Sequence, residues 1–224
     1  DIQNQLNNSA AFVRSKSDVK KTKKVHIEEL ETKDEAKKQI KVTDGTIHHW
    51  LGAIYVPRKS LQDVLRWVRD YDRHKDYFVD IEQSSLKRQD GDTYDVFLRM
   101  KRSKWTVTAR FNTDHRVVYS HHGIGRASSK SVATRIRQLD KEGNEYLPGR
   151  DDGYLWRLNS YWRFSEHDGG VIVECETIGL SRSLGSFVGF FDFLTFGGIS
   201  KIAESIAEEA LTDMLTALRD GVLR

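Results

Sequence analysis

What most limits the folds open to this chain is a change of period along it. From Tyr94 to Thr177 apolar side chains alternate with polar ones, stretch after stretch, and near the C-terminus the spacing becomes helical. After the Asp90-Gly91-Asp92 turn come Tyr94, Val96, Leu98 and Met100, then Trp105, Val107, Ala109 and Phe111. Val118, Ser120, His122 and Ile124 follow, then Val132, Thr134 and Ile136. Beyond a polar loop the pattern returns as Trp156, Leu158, Ser160, Trp162 and Phe164, and after Asp168-Gly169 as Val171, Val173, Cys175 and Thr177. Residues two apart share one face of a strand, so this is a meander of antiparallel hairpins. Ile199, Ile202, Ala203, Ile206, Ala210, Met214 and Leu218 then form one helical stripe, with Gly221 as its expected stop. A sheet with one apolar face and a helix with one apolar stripe supply each other's cover.

Ahead of the meander, Ile47 to Val56 reads as a strand stopped by Pro57. Ser60 caps a helix with Leu61, Val64, Leu65, Val68 and Tyr71 at helical spacing, and Asp72 to Phe78 continues as a second short helix. Residues 1–45 differ, with few apolar side chains, a basic run at Lys20, Lys21, Lys23 and Lys24, and mixed charge from Glu28 to Lys41. They read as a polar extension, disordered or partly helical around Ile27 to Ile40. The expected fold class is therefore α+β. A curved antiparallel sheet of about seven strands wraps a long C-terminal helix, with a helix pair after the first strand, in one domain spanning 46–224.

Composition narrows the partners. Lys and Arg number 36 against 33 Asp and Glu, without the clustered excess of a nucleic-acid binder, so no nucleic acid is expected. The single cysteine, Cys175, rules out an internal disulfide and a cysteine metal cage. No run approaches the roughly 18 to 20 apolar residues that span a bilayer. The chain opens with Asp1 rather than Met, which suggests a removed leader and export to the periplasm, the cytoplasm being the alternative.

Hairpin arithmetic assigns the faces. A turn at Arg102-Ser103 sets Met100 against Trp105, Leu98 against Val107, Val96 against Ala109 and Tyr94 against Phe111. A turn at Asp114-His115 then brings Ser120 beside Ala109 and His122 beside Val107, on the same apolar side. A turn at Asp168-Gly169 sets Arg163 opposite Glu174 and Tyr161 opposite Glu176 on a solvated face, with Trp156, Ser160, Trp162, Val173 and Cys175 on the other.

Three stretches carry a resemblance: "VPRKSLQDVLRWVRDYDRHKDYF" after the first strand, "GYLWRLNSYWRF" with "GGVIVECETIGLSR" in the late hairpin, and the terminal helix. From Thr46 to Arg224 the chain resembles the START-like, Bet v 1-like helix-grip domains, the polyketide cyclase and coenzyme-Q-binding superfamily, and its late hairpin resembles a bacterial branch. The resemblance implies a pocket between the concave sheet face and the C-terminal helix, entered near the loops leading into that helix. Members bind lipids, quinones, sterols or polyketides, and some catalyse cyclisation.

The expected function is binding, or transport, of a hydrophobic or amphipathic small molecule. Tyr94, Leu98, Met100, Trp105, Val107, Phe111, Trp156 and Trp162 form its apolar wall. Ser120, His122, Thr134 and Ser160 orient a polar group, and Ile206 and Met214 form the floor. Phe187, Phe190, Phe191 and Phe193, among glycines before the long helix, read as a hydrophobic lid able to touch a membrane transiently. His48-His49 and His121-His122 are adjacent strand residues pointing to opposite faces, so neither pair chelates, and no metal or other cofactor is expected. One alternative is a cyclase- or hydratase-type enzyme with His122 as general base. The second is an interaction module with a filled core.

Overall fold

The computed structural model describes residue 13 and residues 24–104, 107–182 and 198–224, with the side chains of 104, 107 and 198–206 left aside. Strands β1 (His26–Glu29) and β2 (Gly45–Pro57) come first. Helix α1 (Leu61–Val68), a 3-10 turn (Tyr71–Arg73) and helix α2 (His74–Tyr77) follow. The meander is β3 (Ile81–Asp90), β4 (Thr93–Lys104), β5 (Val107–His121), β6 (Arg126–Gln138), β7 (Arg157–His167) and β8 (Gly170–Arg182), and helix α3 (Gly198–Leu223) closes the chain.

All eight strands form one antiparallel sheet in the order β1-β2-β8-β7-β6-β5-β4-β3. The pairing of β2 with β8 brings the early strand beside the last one, so the meander curls into a gutter. Helix α3 lies in the gutter and buries Leu211, Leu215, Leu218 and Val222 against Trp50, Ile54, Val173 and Phe164. At Gly52 the helix comes so close that a Cβ would sit 2.7 Å from Leu215 Cδ1. Helix α1 starts at a reciprocal cap: Asp63 N–H donates to Ser60 Oγ at 3.2 Å, and Ser60 N–H donates to Asp63 Oδ2 at 3.0 Å. The Glu166 carboxylate at the end of β7 also accepts from Leu61 N–H, fastening that helix over the sheet.

Four local expectations are corrected. Ile27 to Ile40, read as helical, begins as strand β1 paired with β2 and continues as a turn with isolated bridges. Strand β4 runs through Arg102-Ser103 to Lys104, so Met100 pairs with Phe111 and Leu98 with Thr113. The shift is by an even number of residues, so the same side chains keep the same face. Asp114-His115 is not a turn but the middle of the 15-residue β5. Gly221 does not stop α3: it lies inside the helix, where a Cβ would fall 2.5 Å from the Trp67 ring.

The late hairpin keeps its expected register, with Arg163 opposite Glu174 and Tyr161 opposite Glu176. Its charged face is not solvated, however. Arg163, Glu174 and Glu176 are 0%, 0% and 2% exposed on the convex side of the sheet. Arg163 Nε donates to Glu174 Oε1 at 2.6 Å and its Nη2 to Glu176 Oε2 at 2.8 Å. His49 bridges Glu176 (2.9 Å) to the Thr32 hydroxyl (2.9 Å), so the chain ahead of β2 takes part in the cover. Burial works against the Arg163 charge, and the two carboxylates overcome it and raise its pKa. Val13 and Ile172 pack with Tyr55 on the same outer face.

Candidate functional site

Between the concave face and α3 lies a partly open cavity of about 1660 Å³, above the usual range of roughly 300 to 1,000 Å³ for small-molecule sites. Period-two placement decides what lines it. From β4 and β5 come Val96, Leu98, Met100, Phe111 and Val117, from β7 Leu158, Trp162 and Phe164, and from β2 Trp50. Helix α3 contributes Ala207, Ala210, Met214 and Ala217, and Trp67 reaches in from α1. Small side chains on the helix and bulky ones on the sheet leave the space open.

Where β6, β7 and β8 cross the wall, short of Arg182 at the end of β8, its polar groups are hydroxyls. Ser131 on β6, Ser160 on β7 and Thr177 on β8 are direct cross-strand partners, and Trp50 lies opposite Thr177. Together they make a transverse row of hydroxyls. His115 stands beside it on β5, 7% exposed. The Thr113 hydroxyl donates to the Leu98 carbonyl, so its oxygen accepts from His115 Nε2–H at 2.9 Å. That leaves His115 Nδ1 as the acceptor, 3.3 Å from Ser131 Oγ. Burial lowers the His115 pKa to about 4, so the ring is neutral at pH 7.

One part of the wall is a tyrosine pair, Tyr71 and Tyr119, with hydroxyls 2.8 Å apart. The Arg69 guanidinium lies 4.2 Å from the Tyr119 ring centre. Burial pushes Tyr119 up to about 12 and raises Tyr71 as well. His74, which donates from Nε2 to the Val68 carbonyl, is lowered to about 4 by burial. Elsewhere on the lining, Arg102 donates to Asp80 at 2.6 Å and Asp213 at 3.2 Å, with Glu209 at 3.7 Å, joining β4, the loop before β3 and α3.

The structure brings Leu98, Met100, Phe111, Ser160, Trp162 and Met214 together around the cavity. Tyr94 packs in the core 5.4 Å from the Tyr119 ring, behind the wall, and Trp156 precedes β7 beside Gly153 without lining the cavity. Ser120 and Thr134 face away and are exposed. Because β5 runs straight through Asp114-His115, the odd positions Thr113, His115, Val117 and Tyr119 point inward and Ser120 points out. Thr134 is the extra residue of a β6 bulge, where the register shifts between Asp114 and His115, and its hydroxyl donates to the Asp114 carbonyl. His122 is half-buried at the β5–β6 hairpin, 2.7 Å from Ser128 Oγ, and does not line the cavity. Burial, then neighbouring His121, lowers its pKa. Trp105, Phe187, Phe190, Phe191 and Phe193 lie outside the described residues, as do the side chains of Val107 and Ile206.

Sequence reasoning passed over His115, Ser129, Ser131 and Thr177, and over Trp50 and Trp67. The "ASSKS" run carries too little hydrophobicity to mark an inner face, and His115 sat in an expected turn. Cys175 is buried on the concave side, and burial raises its pKa well above the usual thiol value, so it packs as a small apolar group. Among the described residues no group of three or more His, Cys, Asp or Glu side chains could hold a metal ion. No helix among them is long and apolar enough to cross a membrane.

No protein-family model and no curated protein matches the chain. Solved structures do. The STAR-related lipid transfer protein of Xanthomonas axonopodis superposes with a TM-score of 0.56 at 17% identity, covering 88% of this chain and 99% of its own. The ZhuI aromatase/cyclase from Streptomyces sp. R1128 gives 0.51 at 14% identity, covering 80% and 95%. Human STARD10 gives 0.52 at 11% identity, covering 87% and 69%. At such identities the likeness speaks for architecture, and it agrees with the gutter-and-helix arrangement derived above. The chain has the helix-grip fold of the START-like, Bet v 1-like proteins.

Proposed function

We propose that this protein holds a hydrophobic or amphipathic small molecule in the cavity between the sheet and α3, as a binding or transfer protein. The observation that carries the reading is the cavity itself, a partly open space of about 1660 Å³ walled by Trp50, Trp162, Phe111, Leu98 and Met214. Burying a guest there gains about 25 cal/mol per Å² of apolar surface, less the cost of ordering it. A lipid transfer protein and an aromatase/cyclase of the same fold stand on either side of the choice between carrier and enzyme. The cyclase alternative loses its expected base, because His122 does not line the cavity.

The test is uptake of a neutral apolar fluorophore, N-phenyl-1-naphthylamine, by the purified protein, with native mass spectrometry of whatever co-purifies. Gly179 lines the cavity and a Cβ there meets nothing nearer than 3.8 Å, so Gly179→Phe has room to fill it. Saturable one-to-one uptake that drops at least tenfold in Gly179→Phe and is unchanged in His122→Ala is the expected result. Absence of uptake by the parent protein would support the filled-core alternative instead.

A further inference from the structure

The polar part of the wall has a pattern that says more about the guest than its size does. Ser131, Ser160 and Thr177 sit opposite one another on β6, β7 and β8, so their side chains stand about 5 Å apart in a line across the gutter. All three line the cavity. Ser131 reaches the acceptor nitrogen of His115 at the β5 end of the line, and Trp50 closes the β8 end. Each hydroxyl both donates and accepts, and His115 is held as an acceptor by the Thr113–Leu98 chain.

Among the described residues, the lysines and arginines on the lining lie elsewhere, and His48, two residues from Trp50 along β2, is 2.9 Å from Ser181 Oγ. Arg102 is engaged by Asp80 and Asp213. Lys101 lies 3.8 Å from Glu82. Arg182 is five residues from Thr177 along β8, about 16 Å at the rise of an extended strand, and Arg224 is the exposed last residue. An anionic headgroup brought to the hydroxyl row would lose its water without meeting a lysine or arginine among the described residues, which is strongly unfavourable. A neutral oxygen would find a donor or an acceptor at every step.

Resting on the reading of the cavity as a ligand site, we infer that the guest is an uncharged amphiphile whose hydroxyl or carbonyl oxygens lie along Ser131, Ser160 and Thr177, and that this row selects it against lipids headed by a carboxylate or phosphate. A neutral hydrogen bond is worth roughly threefold to tenfold in affinity.

Competition against bound N-phenyl-1-naphthylamine tests this, using 1-monoolein and oleate, which share one acyl chain, at pH 7.5 and below their aggregation concentrations. Monoolein should displace the probe at a concentration at least tenfold lower than oleate. In Ser160→Ala/Thr177→Val, which nearly conserves volume, the ratio, taken against the variant's own probe affinity, should shrink to about twofold. The single variants, checked by near-UV circular dichroism, serve if the pair fails to fold. Oleate equal to or better than monoolein, or an undiminished ratio in the variants, overturns the assignment and leaves the cavity reading standing. A protein that takes up no probe overturns both.

Discussion

His115 shows how one side chain's neighbours decide its chemistry. Its ordinary pKa near 6.5 would leave it partly charged at neutral pH, but burial lowers the folded value to about 4. The unfolded chain therefore binds a proton on this residue as pH falls below 6.5, while the folded protein does not until near 4. Stability from this group is complete above about 6.5 and is lost on acidification across that window, at ~1.4 kcal/mol per pH unit, or roughly 3 kcal/mol in all. In His115→Gln the urea midpoint should fall less steeply between pH 6.5 and 4.5 than in the parent protein, and parallel slopes would count against the assignment. The residue was hidden in the sequence because Asp114-His115 has turn chemistry. The even positions around it, Asn112, Asp114 and Arg116, are polar and mark the outer face of an unbroken strand, yet Val118 on that same outer face imitates the start of a new one.

Among the elements, those bounded by strong local signals were legible. Ser60 starts α1 as its sequence indicates, and Asp168-Gly169, both at positive φ, sets β7 against β8 residue for residue. The β4–β5 hairpin lacks such a signal near Arg102-Ser103, so its length was misjudged while its faces were not. Helix α3 was legible as a helix, but its buried Leu211, Leu215 and Val222 and its end were not. A glycine near a helix terminus reads as a stop, whereas Gly221 is required by the ring of Trp67 beside it. Gly221→Ala improves helix propensity by about 1 kcal/mol, yet it drives a methyl group into Trp67. The net effect should be a loss of roughly 1 to 3 kcal/mol, seen as a lower Tm. A gain in Tm would show that the indole moves aside freely.

At the scale of the whole molecule, the fold class and the apolar part of the concave wall at Leu98, Met100, Phe111 and Trp162 were readable, because alternation records which side of a strand is buried. The burial of the convex side was not. Arg163, Glu174 and Glu176 look like a solvated face until a second layer covers them, and the Thr32–His49 contact ties that layer in. Removing residues 1–44 strips β1 from β2 and takes away the Thr32 hydroxyl that holds His49 at the edge of this ion network. The shortened protein should melt well below the full chain and self-associate through the bared 13-residue β2 edge, which sedimentation velocity would register. An unchanged Tm and a monomer would mean that the cover contributes little.

The two faces of the sheet are thus unequally protected along its width, and this has a mechanical consequence. At the β2–β8–β7 end the strands are gripped from both sides. Toward β3 and β4 the outer surface is open to water, and Arg102, with its three carboxylate partners, stitches this half to α3. Any widening of the gutter to admit a guest falls to that thinner half, so dissolved salt, which weakens half-exposed ion pairs, should ease entry and exit there without loosening the stiff half.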